Sequence, residues 1–149
     1  MGVRRRARES ALQILYGIDW NTQRPLDACE LFWDRFAGER PAAYDQIRAT
    51  SDVLVEGVVT HRVAIDELLI SHSHNWKLDR MSVVDRNILR IGTYELMFAE
   101  QPAPRKVVLN EAIEVAKKFG SQDSSGFVNG VLHQISLAKK AVEQAGGSR

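Results

Sequence analysis

Ser82-Val83-Val84-Asp85-Arg86-Asn87-Ile88-Leu89-Arg90-Ile91-Gly92-Thr93-Tyr94-Glu95-Leu96-Met97 is the stretch on which the fold turns. Ser82 is placed to cap a helix, with Asp85 at the capping-box position three residues on. Ile88, Leu89, Ile91, Tyr94, Leu96 and Met97 then give that helix a broad apolar face, which predicts an element surrounded by other helices rather than one lying on a surface. Arg90 and Glu95 interrupt the run, so even the richest stretch, residues 87–99, falls short of the roughly 20 apolar residues that a membrane span needs. Pro102 and Pro104 end it.

Downstream, residues 107–119 repeat the helical spacing, and Gly120 sits where a left-handed C-terminal cap is expected. A last helix starts near Asp123 or Ser124, places Phe127, Val128, Val131, Leu132 and Ile135 at helical spacing, and frays into a tail containing Lys, Gly and Ser. Upstream, Ala7, Ala11, Ile14, Leu15 and Ile18 line one face of a helix over residues 5–19. Pro25 suits the first turn of a second helix, through Leu31, Phe32 and Phe36 to about Gly38. Apolar positions from Ile47 to Leu69 give one or two helices over residues 44–71, with Gly57 a kink or a close-packing site. His72-Ser73-His74-Asn75 is a polar break, after which Trp76 and Leu78 precede the Ser82 cap. The expectation is an all-α protein, with one domain over residues 1–140 and a flexible tail over 141–149.

A chain of 149 residues is the size of one ordinary domain and can cover about two-thirds of its unfolded surface. Its 44% hydrophobic and 26% charged residues, with 10 Gly and 4 Pro, argue against a fibrous or low-complexity chain. Cys29, the one cysteine, excludes an internal disulfide and a Cys-based metal cluster, and no apolar stretch follows the basic start as a secretory signal requires. A cytoplasmic protein that does not enter a membrane is expected. The net charge of +1 hides an asymmetry: Arg4, Arg5, Arg6 and Arg8 are four of 20 cations, leaving 16 against 19 acids elsewhere. The positive field is local, and a concentrated patch steers polyanions as well as global basicity does.

At about 100° per residue, Arg5 and Arg6 point away from the Ala11/Leu15 stripe, whereas Arg4 and Arg8 lie near its edge. Arg5 and Arg6 are therefore expected to reach phosphates freely, while Arg8 is placed to pair with an acid of a neighbouring helix as readily as with RNA. Four cations at a helix start oppose the helix dipole, a local cost that an anionic ligand relieves. Taken alone, the run fits a solvated helix end as well as an RNA handle.

Other constellations carry less. His72 and His74 have metal-pair spacing but no third ligand nearby, so no metal and no cofactor are expected. His61 and His133 are isolated, and Ser124 and Ser125 lack a Gly-x-Ser-x-Gly frame, which leaves capping as their role and no catalytic residue. Gly120, Gly126 and Gly130 surround a polar loop without the Gly-Lys-Ser/Thr of a P-loop. Phe127 is core or a base-stacking platform, with core favoured by the flanking valines Val128 and Val131. Trp20, Trp33 and Trp76 read as packing residues.

Four segments carry a resemblance. Arg4-Arg5-Arg6-Ala7-Arg8-Glu9, Val84-Asp85-Arg86-Asn87-Ile88-Leu89-Arg90-Ile91 with Tyr94-Glu95-Leu96, residues 110–120 (Asn-Glu-Ala-Ile-Glu-Val-Ala-Lys-Lys-Phe-Gly), and Asp123-Ser124 with Phe127-Val128-Asn129-Gly130-Val131-Leu132 resemble, in order, the signatures of the NusB transcription antitermination family. The resemblance spans residue 4 to about 135 and implies a compact fold of two small helical bundles. It implies a non-enzymatic factor that binds boxA, a single-stranded element of ribosomal-operon RNA, together with the ribosomal protein NusE, and joins other Nus factors on RNA polymerase to support read-through. Carried over by position, the RNA surface comprises Arg4, Arg5, Arg6, Arg8, Asp123 and Phe127, and Tyr16 and Asp85 face the protein partner. Some relatives form homodimers. Residues 21–75 match nothing specific and receive no function.

Two other classes compete. A similar helical module precedes the catalytic domain of some RNA cytosine methyltransferases, but these 149 residues carry no cofactor-binding sheet or catalytic cysteine region, so a free-standing binding protein is expected. A purely protein-binding helical module would leave the arginines without a role in binding.

Overall fold

The computed structural model describes residues 2–21, 24–36, 38–73 and 77–147; His74, Asn75 and Trp76 of the polar break lie outside them. Among the described residues there are seven α-helices, a single 3-10 turn at Leu78–Arg80, and no strand. The helices are α1 (Val3–Asn21), α2 (Pro25–Asp34), α3 (Tyr44–Thr60), α4 (Arg62–His72), α5 (Val83–Met97), α6 (Arg105–Phe119) and α7 (Ser124–Gly147). Helices α1, α2 and α3 pack on one another as one bundle, α4 to α7 form the second, and α1 and α3 both touch α5. This is the expected all-α pair of small bundles.

The opening stretch behaves as its pattern requires. Ser82 caps α5, its Oγ accepting the backbone N–H of Asp85 at 3.0 Å. Every residue of 87–96 is buried, and Ile88 and Leu89 meet Leu132 and Ile135 in one continuous core. A helix buried on all sides must satisfy its charged and amide side chains internally. Asn87 donates to Asp19 Oδ2 at 3.0 Å, and Arg90 grips Asp66 of α4 with two bonds of 2.9 and 3.1 Å. Glu95 receives Arg8 of α1.

The long stretch over residues 44–71 is two helices, broken at His61, whose ring Nδ1 lies 2.9 Å from the Gly57 carbonyl. Gly57 is the close-packing site: an added Cβ would lie 2.2 Å from the Tyr94 ring, so α3 and α5 approach over a residue without a side chain. Helix α2 ends at Asp34, before the expected Gly38. The chain turns there because Phe36 folds back, its N–H on Trp33 O at 3.0 Å and its ring against Trp33 and Tyr44. Arg35 lies 5.0 Å from the Phe32 ring centroid and caps this aromatic cluster. Gly120 is not a left-handed cap. Its φ of −93° is open to any residue, and what demands glycine is space, since a Cβ would lie 2.4 Å from Ser124 Oγ. Trp33 packs as expected, but Trp20 does not: it is 66% exposed. Helix α7 continues to Gly147 across most of the expected tail, with residues 141–145 exposed. No described helix is long and apolar enough to cross a membrane.

Gly57→Ala must push Tyr94 aside and is expected to cost about 1–3 kcal/mol, seen as a lower urea midpoint at unchanged slope. Gly17→Ala, where an added Cβ meets nothing within 4 Å, should instead hold or raise stability, by up to about 1 kcal/mol.

Candidate nucleic-acid interface

Helix α1 begins with Val3-Arg4-Arg5-Arg6 and has no acid in its first turn, so the partial positive charge of its N-terminus adds to the guanidinium groups. Helical geometry then sends the four arginines to different neighbours. Arg8 points into the molecule and is 5% exposed. Its Nε donates to Glu95 Oε2 at 2.9 Å and its Nη2 to Oε1 at 2.7 Å, a two-pronged pair with both side chains out of solvent. Arg8 was expected either to pair with an acid or to join the RNA surface. The pairing is what occurs, and a buried guanidinium with its fork occupied offers little to a phosphate.

Arg5 departs from its expected freedom. Its Nε and Nη2 donate to Glu111 of α6 at 2.8 and 3.0 Å, although the side chain remains 38% exposed. The hydrogen bond from Arg5 and the nearness of its charge hold the Glu111 carboxyl below the ordinary range, against the opposing pull of burial. Helical periodicity gives the direction of Arg5 from the Ala11 stripe, but only the packing of α6 against α1 supplies the acid. Arg6 leans towards the start of α3, Nη1 lying 3.4 Å from Ala42 O. Arg4 is exposed and carries no ion pair among the described residues.

Helix α6 links this end of α1 to the start of α7. Besides Glu111, it supplies Lys118, which donates to both Glu9 carboxylate oxygens at 3.1 Å. Lys117 and Lys118 sit in its last turn, where the helix dipole favours cations. Lys117 also lies 3.6 Å from Glu114, and both lysines, which precede the loop that carries Asp123, were absent from the sequence-based candidates; a lysine pair at a helix end next to a polar loop is the signal that could have found them. Asp123 is exposed. Ser124 is buried, and its Oγ accepts the Ser121 N–H at 2.8 Å, tying the loop down. Phe127 is half-buried against the core, so part of the ring packs and part faces out. The other pair of candidates lies apart. Tyr16 is 41% exposed, its ring 6.2 Å from that of Trp20. Asp85 is half-buried in the first turn of α5, with Oδ1 shielded and without a hydrogen-bond partner. Among the described residues no three His, Cys, Asp or Glu side chains converge as a metal site.

Residues 5–137 match the family model described as the NusB family. The chain belongs to the NusB family. It is 46% identical over 138 residues to the Transcription antitermination protein NusB of Myxococcus xanthus, covering 93% of this chain and 97% of that one. The same-named protein of Bacillus velezensis is 46% identical over 132 residues, covering 89% of this chain and 94% of that one. Among solved structures, NusB from T. maritima superposes with a TM-score of 0.75 at 34% identity, covering 89% of each chain. A structure of antitermination factors NusB and NusE in complex with dsRNA gives 0.74 at 29% identity, covering 93% of this chain and 98% of that one.

Two expectations concern the arginine pairs. Arg8→Met strands a buried Glu95 carboxylate and should cost about 3–5 kcal/mol, whereas Arg8→Met with Glu95→Leu should recover most of that loss; urea unfolding of both variants checks it. Glu111 has a lowered folded-state pKa, so its stabilising contribution is present above the ordinary carboxylate range and is lost as pH falls through the folded value. Glu111→Gln should therefore lower stability at pH 7, and the gap to the native sequence should close towards pH 3 in parallel thermal melts.

Proposed function

We propose that this chain is a non-enzymatic transcription antitermination factor that binds boxA-type single-stranded RNA together with the ribosomal protein NusE. In this reading it joins other Nus factors on RNA polymerase in the cytoplasm and supports read-through of ribosomal operons. The family membership supports the role, and the fan of arginines at the start of α1, which has no acid in its first turn, supports the mode of binding. Arg4 and Arg6 lead the phosphate contacts, and Arg5 contributes what its grip on Glu111 leaves free. Lys117 and Lys118 lie between them and Asp123 and Phe127 at the start of α7, where an unpaired base stacks on the exposed part of the Phe127 ring. Arg8 acts indirectly, by fixing the end of α1 against α5. Tyr16 and Asp85 face the protein partner.

Neutralising three phosphates of a single strand predicts a log–log salt slope of about −2, with each contact arginine changed to Gln flattening it by about 0.7. Fluorescence titration of boxA-like and scrambled RNA, with and without NusE at two salt concentrations, measures both slope and specificity. Arg4→Gln with Arg6→Gln should weaken both RNAs and flatten the slope. Salt-independent binding, or no preference for boxA even with NusE present, overturns the proposal.

A further inference from the structure

On the side of α1 that Arg4 and Arg8 face, a cavity of about 730 Å3 opens between α3, the end of α5 and the connection to α6. Its chemistry is opposite to that of the arginine fan. Glu56 of α3 and Glu100 after α5 both line it, both are exposed, and neither has a cationic partner among the described residues. Helices α3 and α5 both end at this cavity and neither has a basic residue in its last turn, so the partial negative charges of two helix ends add to the two carboxylates. Lys139 donates to Leu96 O at the end of α5 from the neighbouring side, outside this cavity. Of the two arginines in the lining, Arg8 is paired with Glu95 and Arg4 is exposed to solvent.

The floor is aromatic. His61 stacks on Phe98 with centroids 4.7 Å apart and planes 23° from parallel, and Tyr94 lies 5.9 Å from the same imidazole. Tyr94 is 6% exposed and lines the cavity; its hydroxyl makes no hydrogen bond among the described residues and is not one of the buried unpartnered atoms, so it reaches solvent. Burial, with Glu100, Glu95 and Glu56 near enough to act on it, pushes the phenol up from its ordinary value. Val53, 58% exposed, supplies an apolar wall. Unpaired carboxylates, an unused hydroxyl acceptor and ring faces together recognise an arginine or lysine side chain whose stem is apolar.

We infer that this cavity is a docking groove for a basic segment of a protein partner, seating an arginine or lysine between Glu56 and Glu100 over the Tyr94, His61 and Phe98 rings. RNA is disfavoured there by the same negative potential that attracts the basic segment. Arg4, which belongs both to the arginine fan and to the cavity lining, would then mark the boundary between a phosphate-binding surface and an acidic groove for a cationic protein chain.

The test is an NMR titration of the full-length, nitrogen-15-labelled chain with the blocked peptide Leu-Arg-Leu-Arg-Leu, with the same peptide carrying Glu for Arg, with spermine, and with oligo-uridine RNA. The expected result is saturable shifts of the Gly57, His61, Phe98 and Glu100 amides with the arginine peptide only. Glu56→Gln with Glu100→Gln should weaken that binding about five- to tenfold, two partly exposed ion pairs being lost. Both carboxylates are exposed and unpaired, so the variant's melting temperature should match the parent's. Shifts elsewhere, unchanged affinity in the double variant, equal binding of the Glu peptide, or groove shifts with RNA each overturn the inference. Spermine binding there as tightly as the peptide replaces a docking groove with a small-polycation site and equally overturns it.

Discussion

The structure depends on one constraint: α5 runs through the centre of the molecule with all ten residues 87–96 buried, yet three of them are Asn87, Arg90 and Glu95. A buried charge or amide left unpartnered costs far more than a buried hydroxyl such as that of Thr93, which has no partner among the described residues, so the neighbours of α5 must supply groups complementary to Asn87, Arg90 and Glu95 at fixed places. Asp19 and Arg8 come from α1 and Asp66 from α4. The Asp19 and Arg8 bonds tie the first bundle to the second, and the Asp66 bond fixes α4 against α5 within the second. Apolar contact alone tolerates sliding and rotation, whereas a two-pronged guanidinium–carboxylate pair fixes both axis separation and register.

That requirement also shapes the basic start of the protein. Arg8 cannot serve both Glu95 and a phosphate, and Arg5 is drawn towards Glu111 by the packing of α6. The arginine run is thus graded: one residue belongs to the core, one is shared between fold and surface, and Arg4 and Arg6 are left to solvent or weak contacts. Fixing Arg8 inside the molecule holds the backbone of Arg4, Arg5 and Arg6 in one orientation. Less conformational freedom then remains to be lost on binding than for a frayed basic tail.

Much of this was legible in the sequence. The helical spacing, the Ser82 cap, the prolines and the four family segments are local features, and the all-α fold and the NusB membership follow from them. That Arg8 could pair with an acid of another helix was also readable, because its angular position put it beside the apolar stripe. Three features were not. The short α2 depends on Phe36 folding onto Trp33 and Tyr44, a contact with a residue eight positions away across a turn. The need for Gly120 comes from Ser124 Oγ rather than from its own backbone angles, and the exposure of Trp20 depends on which helices leave that face of α1 uncovered.

The sequence by itself determined that the chain is helical, the Ser82 cap and the concentration of positive charge at one end, because propensity, spacing and charge are properties of neighbouring residues. Only the tertiary structure decided which charges remain available. Glu95 and Glu111 lie 87 and 106 positions from the arginines they hold, and Glu56 and Glu100 come to one cavity from opposite sides of the α4 segment. No local pattern encodes those distances; they are set by the packing of helices around a buried α5.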